Sequence, residues 1–142
     1  MKLKTLNYHS IWWDLVERFE NVLREKPETR WQGMNNYGQH FRQAFQSFKL
    51  YCLAERIATD PKCPWGPLSH TDALRLAVLN KHHWTLAQVR ALEAEEDFLF
   101  LLQQELIDLV LEGEEEDPVL ELVQQRGALK DDFAPHLKSL NQ

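Results

Sequence analysis

Five side chains in the middle of the sequence are of types that bind metals or move protons: Cys52, Cys63, His70, His82 and His83. Their spacing argues against a shared ion. Tetrahedral zinc sites draw on close pairs such as Cys-x2–4-Cys or His-x3–5-His. Here ten residues separate the cysteines and eleven separate His70 from His82. Adjacent histidines diverge, so His82 and His83 do not converge on one ion, and Cys52 falls on an apolar helical face where a thiol behaves as a small hydrophobe. The paired Glu-x-x-His motifs of a di-iron bundle are missing, since Glu17–Glu20 and Glu93–Glu96 lack the histidine. Ser69, His70 and Asp72 in "SHTD" are too close together to align as a catalytic triad. Cys63, in "KCPWG" beside Lys62, has the one setting that suits a reactive thiol, but no histidine is fixed near it. No Gly-x-Gly-x-x-Gly or phosphate loop occurs. The expectation is a chain without catalytic residues, metal or cofactor.

Two other constellations point to binding. Residues 71–92, "TDALRLAVLNKHHWTLAQVRAL", have the outline of a helix-turn-helix. Its nucleic-acid contacts would be Lys81, His82, His83, Gln88 and Arg90. The turn lacks the usual glycine, the second helix has a single arginine, and the whole chain is acidic, whereas DNA affinity rests on neutralising phosphates. A plainer reading explains the same residues as a helix junction. Asn80 serves as a left-handed C-cap, the histidines sit near a helix C-terminus where positive charge is favoured, and Trp84 staples onto Val89 ahead of the Thr85 cap. Arg30, Trp31, Tyr37, His40 and Arg42 form a further stripe that would stack on single-stranded bases, or else supply core aromatics with solvated arginines between them.

The second constellation is the acidic run Glu112, Glu114, Glu115, Glu116 and Asp117. Such a run steers a basic partner, raising association rate more than affinity, or is simply a solvated loop. Trp65, in the proline-rich "TDPKCPWGPL", and Trp31, in the first connection, are candidate anchors because tryptophan is enriched at binding hot spots. The competing role for both is to cover the ends of the core.

The elements that must position these residues read as helices. Ser10 caps a helix through "IWWDLVERFENVLREK", with Ile11, Leu15, Val16, Phe19, Val22 and Leu23 at helical spacing, closed by Pro27. A second runs from about 36 to 58, entered past Gly33 and capped by Asn35 or Asn36, with Phe41, Phe45, Phe48 and Cys52 on one face. "SHTDALRLAVLNK" begins at Ser69 with capping-box spacing to Asp72, and Thr85 has the same spacing to Gln88. The most apolar helix spans about 94–111 and is stopped by Gly113. A further helix takes Asp117 as cap and Pro118 at its first position, ending at Gly127, and the tail holds another turn or two.

The 142 residues are 44% hydrophobic and 27% charged, with few Gly (5) and Pro (6). That composition suits a soluble globular chain and disfavours a turn-rich β fold. "FLFLLQQELIDLVL" is too short for a bilayer and carries Glu105 and Asp108, so it reads as a buried core helix. The opening residues have no apolar run of signal-peptide type, and two cysteines do not make a disulfide framework. The expected compartment is cytoplasmic, with reduced thiols. Net charge is −6 but uneven: residues 1–92 hold thirteen Lys/Arg against eight Asp/Glu, and residues 93–142 hold three against fourteen.

The sequence therefore predicts an all-α fold, a single-domain bundle over 1–142 of five to six helices. The 94–111 helix is central, and the phenylalanine-rich helix packs against it. The expected core includes Trp12, Leu15, Phe19, Phe41, Phe45, Phe48, Leu76, Leu79, Val89, Leu92, Leu99, Leu102, Leu106 and Val110. The expected function is a non-enzymatic cytoplasmic protein-binding module of adaptor, inhibitor or immunity type. Its partner would present a basic surface and meet Glu112, Glu114, Glu115, Glu116, Asp117, Trp65 and Trp31. The alternative is a nucleic-acid-binding regulator. No membrane partner is expected, and the two charge poles also suggest self-association.

Overall fold

A computed structural model describes residues 7–25, 38–65 and 67–141. Among them the fold is all-α, with eight α-helices and three single 3-10 turns. None of these helices is long and apolar enough to cross a membrane. The helices are α1 (Tyr8–Glu25), α2 (Gln39–Ala58), α3 (His70–His82), α4 (Leu86–Arg90), α5 (Glu95–Leu101), α6 (Gln103–Asp108), α7 (Asp117–Gln125) and α8 (Lys130–Phe133). The chain divides into two compact units. The terminal unit combines Met1–Phe48 with Val110–Gln142, and the middle unit is Lys49–Leu109. Helix α2 contributes its first half to the terminal unit and its second half to the middle unit.

In the terminal unit the two ends of the chain fold together. Asn7 Oδ1 accepts from the Ser10 N–H at 3.0 Å, so Asn7 rather than Ser10 caps α1 and the helix starts at Tyr8. The core is aromatic. Trp12 meets Phe45 and Phe48 edge-on, with centroids 6.4 and 5.5 Å apart, and Phe45 lies 4.8 Å from Phe133. Such pairs add about 0.5–1.5 kcal/mol beyond area burial. Val119, Leu122 and Val123 of α7 are buried, as are Leu129 and Leu137. Leu111 is held by the tail: its N–H donates to the His136 carbonyl at 2.8 Å, and its carbonyl accepts from the Lys138 N–H at 2.9 Å. Within this unit Phe45 and Phe48 pack with Trp12, and Phe45 also with Phe133. Gly38 opens α2 at φ +75, and a Cβ there would stand 2.8 Å from Leu129 Cδ2.

In the middle unit the second half of α2 supplies Leu50 and Ala54. These join Leu74, Val78, Val89, Phe98, Leu102 and Leu106 in one cluster, with Trp84, Leu79, Leu92 and Leu99 half-buried against it. The Ser69 hydroxyl caps α3, accepting from the Asp72 N–H at 3.1 Å, while the Asp72 carboxylate turns to Arg75. Thr85 and Gln88 complete a reciprocal capping box on α4 at 2.8 and 3.2 Å, a device that contributes about 1 kcal/mol.

The expected continuous helix over 94–111 is two shorter helices. Leu102 takes φ −108, ψ 19, outside the helical region, and α6 ends at Asp108, well before Gly113. The Leu101 carbonyl at the break accepts from His82 Nε2 at 2.8 Å. Nor is the segment buried all round. Phe98, Leu102 and Leu106 form its buried stripe, while Phe100 is 83% exposed. Leu76, expected in the core, is also exposed.

Lys49 is 3% exposed, and its Nζ donates to the Leu106 carbonyl at 2.7 Å. The last carbonyls of a helix have no intrahelical donor, so the amine caps α6. Burial pushes the Lys49 ammonium from 10.5 down to about 8, with Asp108 opposing the shift and Arg56 adding to it.

Two predictions follow from these contacts. Gly38→Ala combines a positive φ with a close approach and should cost more than about 1 kcal/mol, seen as a lower urea midpoint; an unchanged midpoint would show that Leu129 yields freely. Lys49 binds its proton more weakly when folded than when unfolded. The cost of burying the charge is thus fully present below pH 8 and disappears as pH rises toward 10.5. Across that window the wild type should gain stability relative to Lys49→Met, and parallel stability curves would count against it.

Candidate functional site

The histidine junction at 80–88 is structural at each position that the structure describes in detail. Asn80 lies inside α3, and His83 takes the left-handed cap at φ 58, three residues later than expected, with its N–H on the Leu79 carbonyl at 2.9 Å. Because a carbonyl only accepts, His82 carries its proton on Nε2. That ring also lies 5.8 Å from Trp84. Lys81 pairs with Glu105 at 2.9 Å, and Gln88 is engaged in the capping box. Arg90 is exposed at the end of α4, a helix of five residues. Of the second aromatic stripe, Arg30, Trp31 and Tyr37 lie outside the described residues. His40 is half-buried 4.1 Å from the Phe41 ring, and burial lowers its pKa, with Glu20 opposing and Arg126 adding to the shift. Arg42 is paired with Asp132 through Nε and Nη2 at 2.8 and 2.7 Å.

The acidic run separates into two kinds of residue. Glu112, Glu114 and Asp117 are exposed. Glu115 and Glu116 are turned inward, a correction to reading the run as one solvated surface. Glu115 Oε1 accepts from the Glu112 N–H at 3.2 Å. Glu116 is 4% exposed, and its two oxygens accept from the Ser139 N–H at 3.0 Å and the Ser139 hydroxyl at 2.7 Å. This carboxylate ties the turn before α7 to the tail. Glu112 also pairs with Lys138 at 3.5 Å.

Trp65 is 81% exposed in its loop and covers no core. Trp31, its companion candidate, is outside the described residues. With Trp65, the middle unit presents Phe100, Leu86, Ile107 and Leu76 as exposed large apolar side chains.

Sequence reasoning missed one cluster. His70 Nε2 lies 2.6 Å from Glu55 Oε1, and the His70 ring meets Tyr51 edge-on at 4.7 Å. Burial raises the Tyr51 pKa, with Glu55 and Cys52 adding to the shift. A carboxylate that orients an imidazole is the arrangement of a general base. The neighbouring hydroxyls are engaged by backbone, Ser69 as the α3 cap and Thr59 donating to the Glu55 carbonyl at 2.7 Å. The signal was Tyr51 and Glu55 at i,i+4 on α2, but nothing in the linear sequence aimed His70 at them. Cys63 sits half-buried in the turn closed by its own N–H on the Asp60 carbonyl.

The charge contrast along the chain is not a contrast between the two units. The terminal unit draws ten Lys/Arg and thirteen Asp/Glu, and the middle unit six and nine, so each carries −3. His9–Glu121 and Arg42–Asp132 join N-terminal bases to C-terminal acids.

Compared with known proteins, the chain matches no family model, no curated protein and no solved structure.

Substitution should separate the two kinds of carboxylate. Glu116→Ala strands the Ser139 donors and should cost about 1–3 kcal/mol, whereas Glu114→Ala should fall within about 0.5 kcal/mol of wild type. Urea unfolding of both variants measures this; equal midpoints would show that the Ser139 contacts contribute nothing.

Proposed function

We propose that the chain is a non-enzymatic, cytoplasmic protein-binding module whose docking surface lies on the middle unit. The observation that carries this reading is the exposure of Trp65 and Phe100, both more than four-fifths open to solvent. Aromatic side chains of this size are the groups that dominate binding energy when a partner covers them. The exposed carboxylates Glu112, Glu114 and Asp117 supply a field that draws in a basic partner. Cys52 and Cys63 as thiols suit a reducing compartment. The nucleic-acid alternative draws less support, because the side chains of Lys81, His82 and Gln88 are committed to contacts within the middle unit and leave His83 and Arg90 to meet phosphate.

Affinity capture from the native lysate, with and without nuclease, tests the reading when run beside Trp65→Ser and Phe100→Ser baits. A stoichiometric protein partner should survive nuclease and be depleted by at least one substitution. Partners lost on nuclease treatment would move the assignment to residues 71–92, and capture indifferent to both substitutions would remove the docking surface.

A further inference from the structure

The outward face of α5 and α6 has a pattern that specifies its partner. Phe98, Leu102 and Leu106 step by four and are buried. Phe100 and Ile107, 83% and 49% exposed, stand on the opposite side of the helical sequence. They are seven residues apart in sequence, one on each side of the break at Leu102. At that break the Leu102 N–H donates to the Phe98 carbonyl at 2.9 Å and closes α5, and the Leu106 N–H donates to the Leu102 carbonyl at 3.0 Å and opens α6. Gln103 and Gln104 lie between the two apolar residues, and Glu96, Asp97 and Asp108 flank them, all exposed. No Lys or Arg occurs between residues 91 and 125, where twelve Asp and Glu do.

From this face we infer that the module's partner is a basic amphipathic helix. Its apolar stripe covers Phe100 and Ile107, and its Lys or Arg residues meet Glu96, Asp97 and Asp108. An exposed apolar pair flanked by charge is the kind of surface on which an amphipathic helix lays its apolar face. The acidic flanks choose the occupant. A second copy laid on the same face would set carboxylates against carboxylates, a repulsion that works against self-pairing. A neutral apolar segment would leave the flanks unpaired. The inference rests on the protein-binding reading and names the chemistry of the partner.

The test uses the full chain and three synthetic peptides of about five helical turns. One is an amphipathic Leu/Lys helix, one is the same helix with every Lys replaced by Glu, and one is a Leu/Lys scramble of equal composition with no apolar face. Fluorescence anisotropy reads the binding. The Leu/Lys helix should bind, and F100S/I107S should weaken it at least roughly tenfold, as truncation of an anchor does. E96Q/D97N/D108N should weaken it and flatten its salt dependence. The Glu peptide and the scramble should not bind. Undiminished binding to F100S/I107S, equal binding of the scramble, or preference for the Glu peptide would overturn the inference. So would a wild-type dimer in sedimentation that F100S/I107S dissolves. Both side chains are exposed, so the double variant should melt with wild type; should it melt early, Ile107→Ser alone serves in its place. The two readings fail separately. A lysate partner depleted by Phe100→Ser, with no peptide bound, leaves the module standing and removes the basic helix.

Discussion

One helix feeds two cores. Along α2 the aromatic positions Phe41, Phe45 and Phe48 are spent in the terminal unit, while Leu50 and Ala54 serve the middle unit. Between them stands Lys49, buried and bonded to the Leu106 carbonyl. A lysine in that position is costly, because its ammonium loses most of its water. It is tolerable because the acceptor is a helix-end carbonyl that would otherwise lack a donor. The bond caps the C-terminal end of α6. Replacing Lys49 with an apolar residue would remove the desolvation cost and also strand a carbonyl. The position is therefore a compromise between two polar demands and not a site of apolar packing.

Much of this was legible in the sequence. Capping chemistry is local, so Ser69, Thr85 and Gln88 could be assigned from spacing alone. The phenylalanine face was equally clear, because a buried stripe repeats every three or four residues whatever it packs against. What the stripe packs against is not local. Phe45 meets Phe133, nearly ninety residues further along, and periodicity carries no information about that. The break at Leu102 was hidden for the same reason. "FLFLLQQELIDLVL" has no Gly or Pro to interrupt it; the interruption is stabilised by His82, which arrives from another helix. Glu115 and Glu116 look identical to Glu114 in a run of carboxylates. Only the position of Ser139 separates a buried acceptor from a solvated charge. The candidate surface was half visible: Trp65 was named from its loop, whereas Phe100 was not singled out, because its whole segment reads as a buried core helix.

Charge shows the limit of one-dimensional reading most clearly. A basic front and an acidic back suggested a polar molecule. The fold pairs His9 with Glu121 and Arg42 with Asp132, and the net charge of the two units is the same. What remains uneven is local. The stretch from 91 to 125 has no cation of its own, and its carboxylates divide by role. Glu105 is drawn to Lys81, Glu115 and Glu116 hold backbone, and Glu96, Asp97, Asp108 and Glu114 stay in water.

Exposed apolar residues are ordinary when they occur singly, so the exposure of Phe100 alone would need no explanation. Its setting is what distinguishes it. Burying a phenylalanine is worth roughly 1.5–3 kcal/mol, and the break beside it at Leu102 gave the chain an opportunity to turn the ring inward. Instead Phe98 takes the inner position, and the His82 contact holds the break so that Phe98, Leu102 and Leu106 all face the core. The stability of the middle unit is satisfied without Phe100 or Ile107. A glutamine at either position would fold as well and match Gln103 and Gln104 beside them. Two apolar side chains on a face otherwise made of glutamine and carboxylate are thus unexplained by the unit's own packing, and the proposed docking of a partner would give both a use, because covering them releases binding energy.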